Sequence, residues 1–204
     1  MALGDPYASQ AELKSYMGDT ESTDNSKYDD ALSAASRWID HFCGRQFNKD
    51  TAASARVYYA DPFRPCEVEV DDFHTTNDLV VKISLTDDGN YDTTITSAGY
   101  QLLPLNGIVE GEGGWPYYRI QFQNVYIPYS VRPAVQVTAQ WGWAVVPGPV
   151  KAACLMLAAE TFKLAREAPF GVAGFGAFGA VRVRDNPRAE SLLAPYRRTP
   201  VLIA

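Results

Sequence analysis

The chain has 204 residues, enough for one sizeable core or for a helical body carrying an inserted subdomain. Its composition, 47% hydrophobic and 21% charged without a low-complexity tract, excludes a disordered or fibrous protein. The net charge of −6 hides an asymmetry: residues 151–204 hold eight Lys/Arg against four Asp/Glu, and residues 1–150 hold ten against twenty. An acidic body with a basic end lacks the concentrated basic face of a DNA-grasping protein and suits a tail that docks on an acidic protein surface. The N-terminus carries no basic-then-apolar signal pattern, and no apolar run is long enough to span a bilayer. Cys43, Cys66 and Cys154 are odd in number and lack pairing or metal spacing, which fits synthesis in a reduced cytosol.

In chain order, Ser9 with Glu12 forms a capping box that opens a short helix over Tyr7 to Met17, and Leu13, Tyr16 and Met17 provide its apolar side. A polar loop follows over 18–25. The stretch 27–47, KYDDALSAASRWIDHFCGRQF, repeats Tyr28, Ala31, Leu32, Ala35, Trp38, Ile39 and Phe42 at three- and four-residue steps, which predicts one apolar helix face. Ser26 is its expected N-cap, Gly44 its stop, and Ser33, Ser36, Arg37 and Asp40 its polar side.

After a polar, turn-like stretch the pattern changes at Arg56 to a β-rich region. Asp61-Pro62 and Arg64-Pro65 interrupt it. Leu79 to Leu85 and Tyr91 to Thr96 flank the turn residues 87–90 and predict a hairpin. Tyr100 to Leu103, Tyr117 to Phe122 and Ala134 to Trp143 continue the strands. In the last of these, Val135, Val137, Ala139 and Trp141 fall on one face and Gln136, Thr138 and Gln140 on the other. Pro147 and Pro149 open a long helix through Glu167, with Leu157 and Leu164 among its core residues. A glycine- and phenylalanine-rich stretch over 170–180, a short strand-like piece at Val181–Arg184, a last helix capped by Asp185 or Asn186, and an apolar tail complete the chain. The expected class is α+β: a helical bundle body made from 1–54 and 145–204, with a small antiparallel sheet subdomain, 55–144, inserted in it. The expected helix core is Leu32, Trp38, Ile39, Phe42, Leu157 and Leu164.

Chemistry is sparse. Gly174, Gly176 and Gly179 spell G-x-G-x-x-G, but a dinucleotide site needs a strand before it and a helix after it, the reverse of the order here. His41 and Cys43 are two apart and so diverge on a helix, which excludes a thiolate–imidazole pair. His74 lies in an expected loop near Asp71, Asp72 and Asp78, without the second histidine or ligand spacing that a metal site needs. Trp115, Tyr117, Tyr118, Tyr126 and Tyr129 could stack single-stranded nucleic acid, yet only Arg119 and Arg132 lie nearby, and core and subunit-interface packing explains them better. No enzyme, cofactor or metal is expected.

The order of elements resembles tailed-phage head–tail connector proteins, also called adaptor or head-completion proteins. The resemblance is carried by the short helix at Tyr7–Met17, the acidic spacer, and the Ala-rich helix ending W-I-x-x-x-C-G-R-Q-F (38–47). At the far end it is carried by V-P-G-P-V-K-A-A (146–153), G-V-x-G-F-G (171–176) and L-L-A-P-Y-R-R (192–198). It implies a structural virion protein at the neck, made in the host cytoplasm and forming a ring, commonly of twelve copies, beneath the portal. That ring would extend the DNA channel, letting DNA pass without specific binding, and would meet the portal on one side and a tail or stopper protein on the other. Tyr196, Arg197, Arg198, Val201, Leu202 and Ile203 are the expected portal-docking segment, and Phe170, Phe175, Phe178, Arg182 and Arg184 the expected inter-subunit or flexible loop. A nucleic-acid-binding module built on the sheet aromatics, and a tail-completion or terminator ring, are the alternatives.

Overall fold

The computed structural model describes residues 4–19, 25–61, 63–86, 88–127, 132–167, 173–174, 180–181 and 186–198. The class is α+β, and the chain divides into two compact units, one made of residues 1–47 and 146–204, the other of 48–145.

The first unit is built from α1 (Gln10–Met17), α2 (Asn25–Cys43), α3 (Gly148–Glu167) and α4 (Pro187–Leu193). The Ser9 hydroxyl accepts from the Glu12 amide at 3.3 Å while the Glu12 carboxylate accepts from the Ser9 amide at 2.9 Å, so two of the orphan donors at the start of α1 are satisfied. Ser26 is not a cap: α2 begins at Asn25 and Ser26 lies in its first turn. Gly44, at φ +63°, closes α2 in the left-handed region, and the Arg45 amide bonds the Asp40 carbonyl. Asn186 caps α4 by accepting from the Ala189 amide at 3.0 Å.

The core of this unit joins Leu13, Leu32, Ile39, Phe47, Val150 and Leu193, with the Tyr28 and Phe162 rings stacked at 4.1 Å between α2 and α3. Two expectations fail here. Trp38 is 40% exposed, and Ser36, expected on the polar side, is fully buried. The buried arc of α2 is rotated toward Ser36. The Ser36 hydroxyl tolerates burial because it donates to the Leu32 carbonyl at 2.7 Å, and Trp38 is carried out to the helix flank. Phe42, Leu157 and Leu164 are half-buried rather than central, while the small Ala153, Cys154 and Ala158 take the inner face of α3.

The second unit is a six-stranded antiparallel sheet. Its strands are β1 (Ser54–Tyr58), β2 (Glu67–Ile83), β3 (Thr93–Ile95), β4 (Tyr100–Leu103), β7 (Tyr117–Phe122) and β8 (Val135–Trp141), with β5 (Ile108–Val109) and β6 (Glu112–Gly113) forming a separate two-stranded hairpin. The order is β1-β8-β2-β7-β4, and β3 also pairs with β2. The long β2 organises the sheet. Its first half pairs with β7 and its second with β3, Val81 opposite Ile95. Only its end, from Leu79, is visible as a strand in the sequence, because Glu67–Asn77 is too polar to read as one. Register shifts in β2, with Asp78 at φ +59°, bend it between the two pairings. Val135, Val137, Ala139 and Trp141 of β8 are all buried, joined by Val68, Val70, Phe73, Val81 and Ile120. The opposite face is a polar ladder in which Arg119 pairs with Glu69 at 2.9 Å and Gln121 donates to Glu67 at 3.2 Å.

Candidate interaction surfaces

Each chemical candidate resolves into structure. Asp71 and Asp72 are neighbours on β2 and so point to opposite faces. Asp71 pairs with Arg56 at 2.7 Å, and the buried Asp72 accepts from the Trp143 indole at 2.9 Å. Asp78 accepts from Gln140 at 3.2 Å, so no ligand set surrounds His74, which lies on the strand and not in a loop. Burial, reinforced by Lys49, lowers the His74 pKa and favours the neutral ring. Among the described residues no group of three or more His, Cys, Asp or Glu side chains could hold a metal ion. Burial pushes the Cys43 thiol up to about 12, far from a nucleophile's range, and His41 is exposed. Gly174 lies on the short strand β9 (Ala173–Gly174), which pairs antiparallel with β10 (Ala180–Val181), while Gly176 and Gly179 are outside the described residues.

The sheet aromatics pack inward more than outward. Trp115 lies 5.1 Å from Trp143, and Tyr117 lies 5.5 Å from Phe73. Tyr126 is exposed, and Tyr129 is outside the described residues. Arg119 is engaged by Glu67 and Glu69, and Arg132 donates to the Asp88 carbonyl at 2.9 Å, so neither cation is free for a phosphate.

In the helical unit, Tyr7 is the hub of a polar network on α2. Its amide donates to the Ser36 hydroxyl at 3.1 Å, its phenol donates to Asp40 and accepts from the Phe47 amide at 2.9 Å, and Arg37 pairs with Asp40 at 3.1 Å. Burial, ahead of the Asp40 hydrogen bond, raises the Tyr7 pKa and keeps the phenol protonated. This network ties the N-terminal segment to α2.

Tyr196, expected at a docking surface, is only 6% exposed. Its ring stands edge-on to Phe47 at 5.9 Å, so it is core. The Arg198 amide bonds the Cys43 carbonyl at 2.8 Å, which fixes this segment at the end of α2. Arg197 is exposed and covers the Phe42 ring at 5.5 Å. Val201, Leu202 and Ile203 are outside the described residues, as are the side chains of Phe170, Phe175, Phe178, Arg182 and Arg184. Helical spacing predicts Trp38 and Phe42 as core because it marks apolar residues without saying which arc is covered. They form a parallel stack with centroids 5.1 Å apart and planes 11° from coplanar. On the other side of α2, residues 5–10 and the start of α1 border an open, shallow hollow of about 370 Å³ lined by Asp5, Tyr7, Ala8, Glu12, Asp29 and Leu32.

The Trp38–Phe42 stack leaves an aromatic patch on the described surface of the helical unit. The architecture of the chain has matches among solved structures. The chain shares the fold of gene transfer agent neck proteins. A chain from the neck of an empty gene transfer agent particle, computed with C6 symmetry, superposes with a TM-score of 0.59 at 18% identity, covering 100% of this chain and 96% of that one. One from the virion of the native particle gives 0.58 at 16%, with the same coverage. One from the native neck, computed with C12 symmetry, gives 0.53 at 16%, covering 100% and 99%. No protein-family model and no curated protein matches the sequence.

Proposed function

We propose that this chain is a non-enzymatic structural subunit of the neck of a tailed-phage-like particle, present as a homo-oligomeric ring. The observation that carries this reading is the end-to-end correspondence with neck chains: both the helical unit and the inserted sheet are matched over 100% of this chain and 96–99% of the others. The symmetric particles those chains come from support a ring, since repeated head-to-tail contacts between copies close on themselves when the rotation allows.

Within the neck, the role we assign is head–tail connector: a ring under the portal that extends the DNA channel and offers a platform to a tail or stopper protein. The basic and apolar end after Arg197, with Arg198, Val201, Leu202 and Ile203, would dock on the portal. The acidic balance of residues 1–150 would keep the channel wall from holding the DNA backbone. Light scattering of the purified chain, alone and with the portal protein of the same particle, tests the proposal. A ring in either condition supports it. A monomer in both overturns it, and a salt-sensitive shift of DNA in a gel would then favour a nucleic-acid-binding module.

A further inference from the structure

Helix α2 presents opposite chemistry on its two flanks. Asp29 and Trp38 are nine positions apart, which at about 100° per residue puts them on opposite sides of the helix. The Trp38 side is an aromatic face with a cationic end. Trp38 stacks on Phe42, Arg197 lies over Phe42, and Ala34, one turn earlier, is exposed and small enough to leave the indole accessible. His41 flanks this face; the nearest carboxylate of α2 on that side, Asp30, is two turns away. The Asp29 side is the hollow, with an apolar floor of Tyr7, Ala8 and Leu32 and a rim bearing Asp5, Glu12 and Asp29. Glu12 is held by Lys151, while Asp29 is exposed and without an ion-pair partner among the described residues.

We propose that these flanks are the two halves of one interface, the Trp38–Phe42–Arg197 face of one copy seating in the Asp5–Glu12–Asp29 hollow of the next. This rests on the ring reading above and adds which surfaces meet. A ring built head to tail needs two different, complementary patches on opposite sides of one subunit, and the flanks of α2 meet that requirement. Charge selects the pairing. Arginine opposes carboxylates when copies join head to tail, whereas two aromatic faces joined symmetrically would set Arg197 against Arg197. Size agrees as well: 370 Å³ is at the lower end of the roughly 300–1,000 Å³ of binding pockets, room for one or two large side chains. Trp and Arg are also the residue types that most often anchor interfaces from within such pockets.

The test uses two variants of the full chain, each with one broken flank. Trp38→Ala with Arg197→Glu loses the aromatic face and keeps the hollow; Asp29→Lys loses the hollow and keeps the face. All three positions are exposed, and circular dichroism with thermal melting checks that the folds persist. Masses are taken by sedimentation, alone and with the portal protein. Each variant should self-associate about 30-fold or more weakly than the wild type. Their equimolar mixture should stop at a heterodimer, because only one complementary pair of halves remains. A chain carrying both Arg197→Glu and Asp29→Lys should recover association, which keeps the proposal testable if Trp38→Ala impairs folding. Variants that form rings like the wild type, or a mixture that stays monomeric, overturn this pairing and leave the ring reading intact. A wild-type chain that is monomeric alone and with the portal overturns both.

Discussion

Gly142 sits at a close crossing of the chain over residues 48–50, and replacing it with alanine should destabilise the sheet unit severely. Residues 48–50 run across the end of β8: Lys49 bridges Gly142, the Asp50 amide bonds the Trp141 carbonyl at 2.8 Å, and the Gly142 amide bonds the Asp72 carbonyl at 2.6 Å. Gly142 has φ +96°, and a Cβ added there would sit 1.7 Å from the Asn48 carbonyl oxygen and 2.9 Å from the Lys49 Cα. Two costs therefore add. The left-handed backbone costs a residue with a Cβ about 1–2 kcal/mol, and displacing the crossing backbone costs about 1–3 kcal/mol more. Gly111→Ala is the matched control. Gly111 has a similar φ of +87° but nothing within 4 Å of an added Cβ, so only the first cost applies. Urea unfolding followed by tryptophan fluorescence reads this unit, which contains three of the four tryptophans, Trp115, Trp141 and Trp143. Gly142→Ala should lose about 2–5 kcal/mol, a midpoint shift on the order of 1–2 M, against about 1–2 kcal/mol for Gly111→Ala. Equal losses in the two variants, within about 0.5 kcal/mol, would refute the close crossing at 48–50.

Three further outcomes follow from individual contacts. Asp72→Ala removes the acceptor of the buried Trp143 indole and should cost about 1–3 kcal/mol in the same urea assay. Tyr7→Phe leaves the buried Phe47 amide without its acceptor and should cost about 1–3 kcal/mol, with hydrogen exchange of the Phe47 amide accelerating. Glu12 is lowered from 4.5 to about 2, first by Lys151 and then by the Ser9 amide and hydroxyl. A depressed carboxylate stabilises the fold above its unfolded pKa, so this contribution should be present above about pH 4.5 and fade as the pH falls toward 2. The side chain is exposed, which limits the effect to about 1 kcal/mol or less, and Glu12→Gln should flatten that part of the stability–pH curve.

Much of the local structure was legible from residues alone. The capping box at Ser9–Glu12, the stop at Gly44 and the alternation of β8 each depend on contacts within a few positions, and the residues narrow the α4 cap to Asp185 or Asn186. The hairpin over 79–96 was legible for the same reason, since turn residues and flanking apolar runs carry it. The first half of β2 was not. Glu67, Glu69, Asp71 and Asp72 look like a solvated loop until Arg119, Arg56 and the Trp143 indole, each distant in sequence, supply their partners. The α2 flank is illegible for the same reason. Periodicity lists apolar positions, but only the arrival of α1 and α3 on one side decides that Ser36 is buried and Trp38 is not.

The sequence by itself therefore determined the helices, most of their ends, the later strands and the α+β class, because those follow from short-range backbone preferences and side-chain periodicity. Tertiary structure alone decided which arc of α2 is core, that Tyr196 points inward, and that a carboxylate-rimmed hollow lies across the helix from a stacked aromatic face. Burial is set by which surfaces the chain brings together over long separations, and no window of a few residues contains that information.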